Sequence, residues 1–176
     1  DSKGEQLSEM YDMYTAGSLA FTDNTRPIVH GGLFSRALLY AKNFNALIIS
    51  FPYDKTIAPK GLINEGVVST KLGLEGIPSL SEELMISRDM MINKYHDGRL
   101  HFNILSSKNS VDQIKIAKKT QNNLSCGTSI YHLLFDEGIL DQFDNKFKIL
   151  PPLRTKADRK ALIEGVKSGV IDVIRS

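Results

Sequence analysis

Short apolar runs of strand character recur along this chain, and a stretch of helical period separates each from the next. The run Ser18-Leu19-Ala20-Phe21-Thr22 follows a helical stretch carrying Leu7, Met10, Tyr11 and Tyr14. Leu33, Ala37, Leu38 and Ala41 mark the next helix, and Ala46-Leu47-Ile48-Ile49 is a nearly continuous apolar strand. A strand without polar alternation is covered on both faces, as in a parallel sheet. Pro78 and Ser79 open a long helix, with Ser79 and Glu82 at capping-box spacing and Leu80, Leu84, Met91 and Tyr95 as its expected inner stripe. Residues 100–105 read as a strand, followed by a helix with Ser110 and Gln113 as its expected capping pair. Residues 124–129 form a weaker strand signal. Thr155 and Asp158 cap a helix with Ala161, Leu162 and Val166 on its inner face; Gly169 ends it, and 170–174 is the last strand. Alternation of this kind predicts an α/β protein with a parallel sheet, either open and doubly wound or part of a (β/α)8 TIM barrel.

The remaining bulk properties narrow the function. No glycine fingerprint for a dinucleotide or a P-loop follows any strand. The net charge of +2 is too small for a nucleic-acid or membrane surface, and Lys115, Lys118 and Lys119 read as a solvated helix face. No apolar run reaches the length of a membrane span. The single cysteine, Cys126, has no intramolecular partner and no basic sequence neighbour, so it reads as a buried structural thiol in a cytoplasmic protein. With 176 residues the chain is expected to form a single domain over 1–176. The irregular stretch between Pro52 and Pro78 has the length of a functional loop.

Several segments in order resemble the dihydroorotases of the amidohydrolase superfamily, of the class that works within multifunctional complexes. They are Ala20-Phe21-Thr22-Asp23, Leu72-Gly73-Leu74-Glu75-Gly76-Ile77-Pro78 with Glu82 and Glu83, Arg99-Leu100-His101-Phe102, His132-Leu133-Leu134, Pro151-Pro152-Leu153-Arg154-Thr155, and Ala161-Leu162-Ile163-Glu164-Gly165 leading to Ile171-Asp172-Val173-Ile174. The resemblance implies a (β/α)8 barrel with zinc at the C-terminal ends of the strands, where a metal-bound hydroxide opens or closes the ring of dihydroorotate in pyrimidine biosynthesis. It also implies that these strands are the fourth to the eighth. The family's His-x-His pair and its arginine–asparagine substrate grip would then belong to an N-terminal half outside this sequence, with a C-terminal tail also outside it.

At the family's ligand positions the resemblance places unusual side chains. The family runs Phe-Ser/Thr-Asp-Asp-Gly after strand four, with the second aspartate on the metal; here the run is Phe21-Thr22-Asp23-Asn24-Thr25. Asn24 carries no charge for a cation, and Asp23-Asn24 also reads simply as a pair closing a turn. The strand-five histidine position holds Phe51, in Phe51-Pro52-Tyr53-Asp54, and the strand-six position holds Ile104. The asparagine that touches substrate in the family is replaced by Leu150. Phe51, Ile104 and Leu150 are expected to fill the old pocket with a dry apolar plug. His101 and Asn103 are expected to face away from the direction of Ile104, since successive strand residues alternate sides. His30, His96 and His132 show no ligand spacing, Met85, Met90 and Met91 read as core filler or surface, and Ser125 and Ser129 have no nearby His-Asp pattern that would make either a nucleophile.

No catalytic residue, metal ligand or cofactor is therefore expected in this segment. The reading is a non-catalytic dihydroorotase homologue acting as a scaffold or binding subunit, expected to be a homo-oligomer, with aspartate transcarbamoylase as the partner the resemblance suggests. The alternative is an active zinc-dependent dihydroorotase or related cyclic amidohydrolase completed by ligands outside the segment. A third option is a sensor that keeps a reshaped, metal-free pocket.

Overall fold

A computed structural model of the chain describes residues 6–142 and 144–176. A five-stranded parallel sheet runs through it, made of β1 (Ala20–Thr22), β2 (Leu47–Ser50), β5 (Arg99–Phe102), β6 (Leu124–Ser129) and β7 (Val173–Arg175), side by side in chain order. Register follows from pairs such as Ala20 with Leu47, Leu47 with Arg99, Leu100 with Leu124, and Gly127 with Val173. Helix α1 (Met10–Thr15) precedes β1, and between strands the chain returns through α2 (Gly31–Lys42), α4 (Leu80–His96), α5 (Lys108–Ala117) and, after the short α6 (Ile130–Leu134), α7 (Lys156–Lys167). Successive β/α units on one parallel sheet are part of a (β/α) barrel, one of the two architectures the alternation allowed.

The alternation of side chains sorts the sheet into two faces. Ile48, Leu100, Phe102, Leu124 and Cys126 point to the helices and pack with Phe34, Leu38, Ile86, Val111, Ile114 and Leu162 in the main core. Their strand neighbours Leu47, Ile49, His101 and Ser125 turn to the other face and are only half-buried. His101 sits there with its Nδ1 2.8 Å from Ser125 Oγ. Cys126 is buried, as expected; burial pushes its thiol up to about 12 while Sγ donates to the Val170 carbonyl at 3.2 Å.

Four local expectations are corrected. The cap of α5 is Ser107, whose Oγ accepts the Ser110 N–H at 3.1 Å, rather than Ser110 itself. Two overlapping serine-led spacings compete here, and only Ser107 has the extended backbone a cap needs. Ser79 precedes α4 but makes no side-chain cap bond, because its own backbone is helical (φ −60°, ψ −24°) rather than extended. The last strand begins at Val173; Val170 and Ile171 are buried before it, with Ile171 packed on Gly165 of α7. Lys118 is not a solvated lysine but closes on Asp172 at 2.6 Å and on the Val170 carbonyl, while Lys115 and Lys119 are exposed. The Thr155–Asp158 capping box of α7 is present as read.

The largest correction concerns α4. Leu80, Leu84, Met91 and Tyr95 face outward, and the buried face is Ser81, Glu82, Met85, Ile86, Asp89, Met90 and Asn93. Hydrophobic periodicity assumes that the inner face is the apolar one. Here the inner face carries hydrogen-bonded polar groups, so the rule pointed to the wrong side.

The stretch between Pro52 and Pro78 is not structureless. It holds β3 (Ile63–Asn64), α3 (Val67–Leu72) and β4 (Gly76–Ile77), with β3 and β4 paired in parallel. Gly76 is required at that pairing, since a Cβ there would lie 2.5 Å from Glu65 Cα.

The two faces of β5 make a direct test. Phe102→Ala removes a fully buried ring and should cost about 3–5 kcal/mol in denaturant unfolding. His101→Ala, on the opposite face, should cost about 1 kcal/mol. Equal losses would contradict this assignment of faces.

Candidate functional site

In a (β/α) barrel, chemistry gathers where the strands end at their C-termini. Here that rim is formed by the residues after Thr22, Ser50, Phe102 and Ser129.

Asn24, beyond β1, adopts φ +57° and its N–H donates to Thr22 Oγ1 at 3.0 Å, while the Arg26 N–H donates to the Asp23 carbonyl at 3.1 Å. The pair Asp23-Asn24 does close a turn, and the Asn24 side chain is exposed. Burial raises the Asp23 carboxyl above its ordinary value. Asp54 likewise spends Oδ1 on the Thr56 N–H and hydroxyl, at 2.8 and 2.6 Å.

Phe51 directly follows β2 and is 2% exposed. It packs edge-on to Tyr53, ring centroids 6.3 Å apart, in a small apolar cluster with Ala58, Ile77 and Ile104. Two positions far apart in sequence therefore meet in one cluster at the rim. Leu150 does not join them: it is 40% exposed, which corrects the expectation of a three-residue plug. The buried part of its segment begins at Pro151, whose carbonyl lies 3.0 Å from His132 Nε2, and this leaves Leu150 on the outer side. A cavity of about 410 Å³ opens beside β1 and β2, lined in part by Asp23, Asn24, Arg26, Ile49 and Phe51.

Beneath the rim lies a polar network that sequence reasoning did not single out. Glu82 of α4 is 1% exposed. Its carboxylate accepts the N–H groups of Ser106 at 3.0 and 3.1 Å and of Ser107 at 3.2 Å, together with the Ser106 hydroxyl. Arg154 Nε donates to Ser106 Oγ at 3.0 Å, and its Nη1 donates to Asn64 Oδ1 and the Ile77 carbonyl, both at 2.8 Å. Asn64 Nδ2 in turn donates to Glu137 at 2.6 Å. Burial lowers the Arg154 pKa, with Glu82 the leading charge acting against it. Arg154 Nη2 is buried without a hydrogen-bond partner among the described residues. The only hint in the sequence was that Glu82 and Arg154 both fall in segments of the family pattern.

His132 is the other surprise. Its Nε2 faces the Pro151 carbonyl, so that nitrogen carries the proton and Nδ1 accepts from Ser129 Oγ at 2.9 Å. Ser129 thus has a histidine beside it, but that ring turns to a backbone carbonyl rather than an aspartate, so the pair is not the Ser-His-Asp pattern a nucleophile needs. Both ring nitrogens are committed, however, and burial lowers the ring's pKa, so the pair ties β6 to the Pro151 turn and keeps the ring neutral. Asn103 pairs with Arg175 of β7 at 2.5 Å, and His96 Nε2 lies 2.6 Å from Ser35 Oγ. His30 is exposed.

Asp89 anchors the rim from below. Its carboxylate accepts from Ser50 Oγ at 2.8 Å and from Arg88 Nε and Nη2 at 2.8 and 2.6 Å. Arg88 also donates to the carbonyls of Ile28 and Val29, fixing the segment after β1 against the end of β2.

The donor set does not fit zinc. A catalytic zinc takes three protein ligands of nitrogen, sulfur or carboxylate type at about 2.0–2.3 Å. Phe51 and Ile104 have no lone pair to offer, and Asn24 has only a neutral amide. Among the described residues no three His, Cys, Asp or Glu side chains converge to hold a metal ion.

A profile of the dihydro-orotase-like family matches residues 1–110, more than half of the chain. This chain belongs to the dihydroorotase family. A dihydroorotase from Pelotomaculum thermopropionicum is 41% identical over 174 residues, and one from Caldanaerobacter subterraneus is 37% identical over 172. Both alignments cover 98% of this chain and 40% of the relative, so the chain spans less than half the length of those dihydroorotases. Among solved structures, the L-hydantoinase from Arthrobacter aurescens superposes with a TM-score of 0.79 at 18% identity, over 96% of this chain and 40% of its own. A D-hydantoinase from a Thermus species gives 0.78 at 18% identity, over 97% and 41%. These likenesses establish the fold alone, a partial (β/α) barrel. Among the described residues no helix is long and apolar enough to cross a membrane.

Two measurements test the buried charges of this dihydroorotase-family chain. Glu82→Ala strands the Ser106 and Ser107 N–H groups and removes the charge facing Arg154, so a loss of about 3–5 kcal/mol is expected on denaturation. A loss below about 1 kcal/mol would sink the proposed network. For Asp89, burial outweighs Arg88 and Ser50 and pushes the carboxyl up to about 6 from 3.8. The folded state then holds the proton more tightly than the unfolded one. Stability from this group is complete below 3.8 and declines as pH rises through about 6. The decline amounts to about 3 kcal/mol at most. Unfolding free energies from pH 4 to 7 should show this slope flattened in Asp89→Asn; identical slopes would remove Asp89 as its source.

Proposed function

We propose that this chain is part of a non-catalytic dihydroorotase-family protein that serves pyrimidine biosynthesis as a scaffold or binding subunit. The observation that carries the proposal is the meeting of Phe51 and Ile104, at two family histidine positions, in one apolar cluster. A metal centre needs polar, lone-pair-bearing walls and an open water position. An apolar cluster favours the opposite, each buried side chain contributing about 1.5–3 kcal/mol when it is shielded from water. Asn24, exposed in its turn, completes the loss of donors.

The scaffold under the rim is intact by contrast. Glu82, Ser106, Arg154 and Asn64 form a connected set of hydrogen bonds, and Arg88 with Asp89 locks the first two strands together. A barrel that keeps its supports while its chemistry is filled in is suited to hold a shape for another protein. Aspartate transcarbamoylase is the partner the family resemblance suggests, and a cytoplasmic location belongs to the same proposal.

An opposite reading takes its support from the identity to dihydroorotases along nearly the whole chain. In it, histidines outside the segment hold a single zinc and the protein hydrolyses a cyclic amide. The deciding experiment is dihydroorotate turnover by the full-length protein with added zinc, beside a Phe51→His/Ile104→His variant and a mock purification. The proposal expects no turnover above the mock by the natural protein, and its co-purification with the transcarbamoylase. Zinc-dependent turnover by the natural protein would overturn the non-catalytic reading, and absence of the transcarbamoylase from the purified complex would overturn the choice of partner.

A further inference from the structure

The interior of a (β/α) barrel is ordinarily filled with bulky branched side chains. The face turned away from the helices meets that pattern on one side only. On β2 its residues are Leu47 and Ile49, and just beyond them Phe51 joins the apolar cluster with Ile104. From β5 to β7 the same face carries His101, Asn103, Ser125, Gly127 and Arg175. Their alignment follows from the register, in which His101 lies beside Ser125, Gly127 beside Val173 and Ser129 beside Arg175. Alternate residues of each strand then share the face. The mouth of the barrel is divided, with an apolar plug at the end of β2 and a polar wall from β5 to β7.

At the top of that wall stands a charge without a counter-charge. Arg175, the last residue of β7, donates from Nη1 to Asn103 Oδ1 at 2.5 Å, and among the described residues no carboxylate closes on it. Asp172, the acid nearest to it in the chain, is taken by Lys118 and the Cys126 N–H. A guanidinium only donates, so Asn103 presents its oxygen to Arg175 and its Nδ2 donors stay unspent. Deeper in the wall, His101 Nδ1 lies 2.8 Å from Ser125 Oγ, and its Nε2 has no partner among the described residues. That nitrogen faces Gly127, where a Cβ would lie 3.5 Å from it and 2.9 Å from the Asn103 carbonyl, so glycine keeps the wall open where these groups meet. Burial lowers the His101 pKa, Asp172 acts against it, and Lys118 and Arg175 lower it further, which keeps the ring neutral.

We propose that Arg175, Asn103 and His101 form a metal-free site for an oxyanion at the mouth of the barrel, the carboxylate or phosphate of a small molecule. The guanidinium offers a planar fork of N–H donors that matches two oxygens of such a group. Asn103 Nδ2 supplies a further donor beside it. The bond between Arg175 and Asn103 holds the fork in one orientation before a ligand arrives, which reduces the ordering cost of binding. With the Ser125 hydroxyl donating to Nδ1, His101 carries its proton on Nε2 and donates from deeper in the barrel. The positive charge that a metal would bring to the rim comes here from a side chain. The site rests on the reading of the rim as metal-free, since a divalent ion at the same mouth would repel the guanidinium.

The test is calorimetric titration of the full-length protein with inorganic phosphate and, separately, with succinate, each in chelator and again with added zinc. The expected result is saturable binding of at least one of the two in chelator, and the tighter arm names the source of the oxyanion. Arg175→Met should weaken it about tenfold or more, and Arg175→Lys should recover only part of the loss, because it keeps the charge without the fork. Asn103→Asp should abolish binding, since the new carboxylate would occupy the guanidinium from within. Arg99→Met, at the opposite end of β5 where Arg99 holds the Asn45 carbonyl, should change nothing. Weak binding of both anions that is alike in every variant would overturn the site. So would no binding in either condition, whether or not another part of the chain takes the guanidinium, and both results leave the non-catalytic reading intact. Binding that requires zinc would overturn the site together with the metal-free rim on which it rests.

Discussion

The carboxylate of Glu82 is the point on which the rim of this half-barrel is built. A charge that is 1% exposed has lost its water and must be compensated in full. Ser106 and Ser107 provide that compensation with two backbone N–H groups and a hydroxyl, which fixes the turn between β5 and α5. Ser106 passes the connection to Arg154, and Arg154 reaches the small β3–β4 pair through Asn64 and Ile77. One buried charge thereby connects α4, α5, the β3–β4 excursion and the segment leading into α7. Removing any member leaves polar groups stranded, so the set persists or fails as a unit.

On the proposed reading, this is how a site loses its chemistry while its supports stay in place. The network lies under the rim, where substitution exposes a buried charge at a cost of several kcal/mol. The ligand positions lie at the rim itself, where an apolar side chain meets apolar neighbours. Phe51 finds Tyr53, Ala58 and Ile77, and Ile104 packs against the same group. Filling such a place adds to stability, whereas disturbing Glu82 or Arg154 subtracts from it. The two layers answer to different physical constraints and can diverge independently.

The polar inner face of α4 has a counterpart outside. Glu82, Asp89 and Asn93 take the positions that would usually anchor the helix through apolar packing, and Met85, Ile86 and Met90 supply what apolar anchoring remains. The inverted helix thus joins two features, a rim held by buried charges and an outer face on which Leu80, Leu84, Met91 and Tyr95 are exposed.

The alternation of apolar runs and helical stretches determined the class of fold, because strand and helix periods follow from backbone geometry alone. The capping box at Thr155 and Asp158 and the burial of Cys126 were legible for the same local reason. The resemblance alone assigned Asn24, Phe51, Ile104 and Leu150 to family site positions, and residue chemistry alone says what each of them cannot offer a metal. What the sequence could not supply was which residues meet. Phe51 and Ile104 share a cluster, and Leu150 is left outside it, because the strands and the Pro151 turn bring distant segments together. The face of α4 was misread because hydrophobic period says nothing about hydrogen bonds made to another element. Glu82 found its partners on the loop after β5, and only the tertiary structure, by burying that charge, decided which side of the helix became the inside.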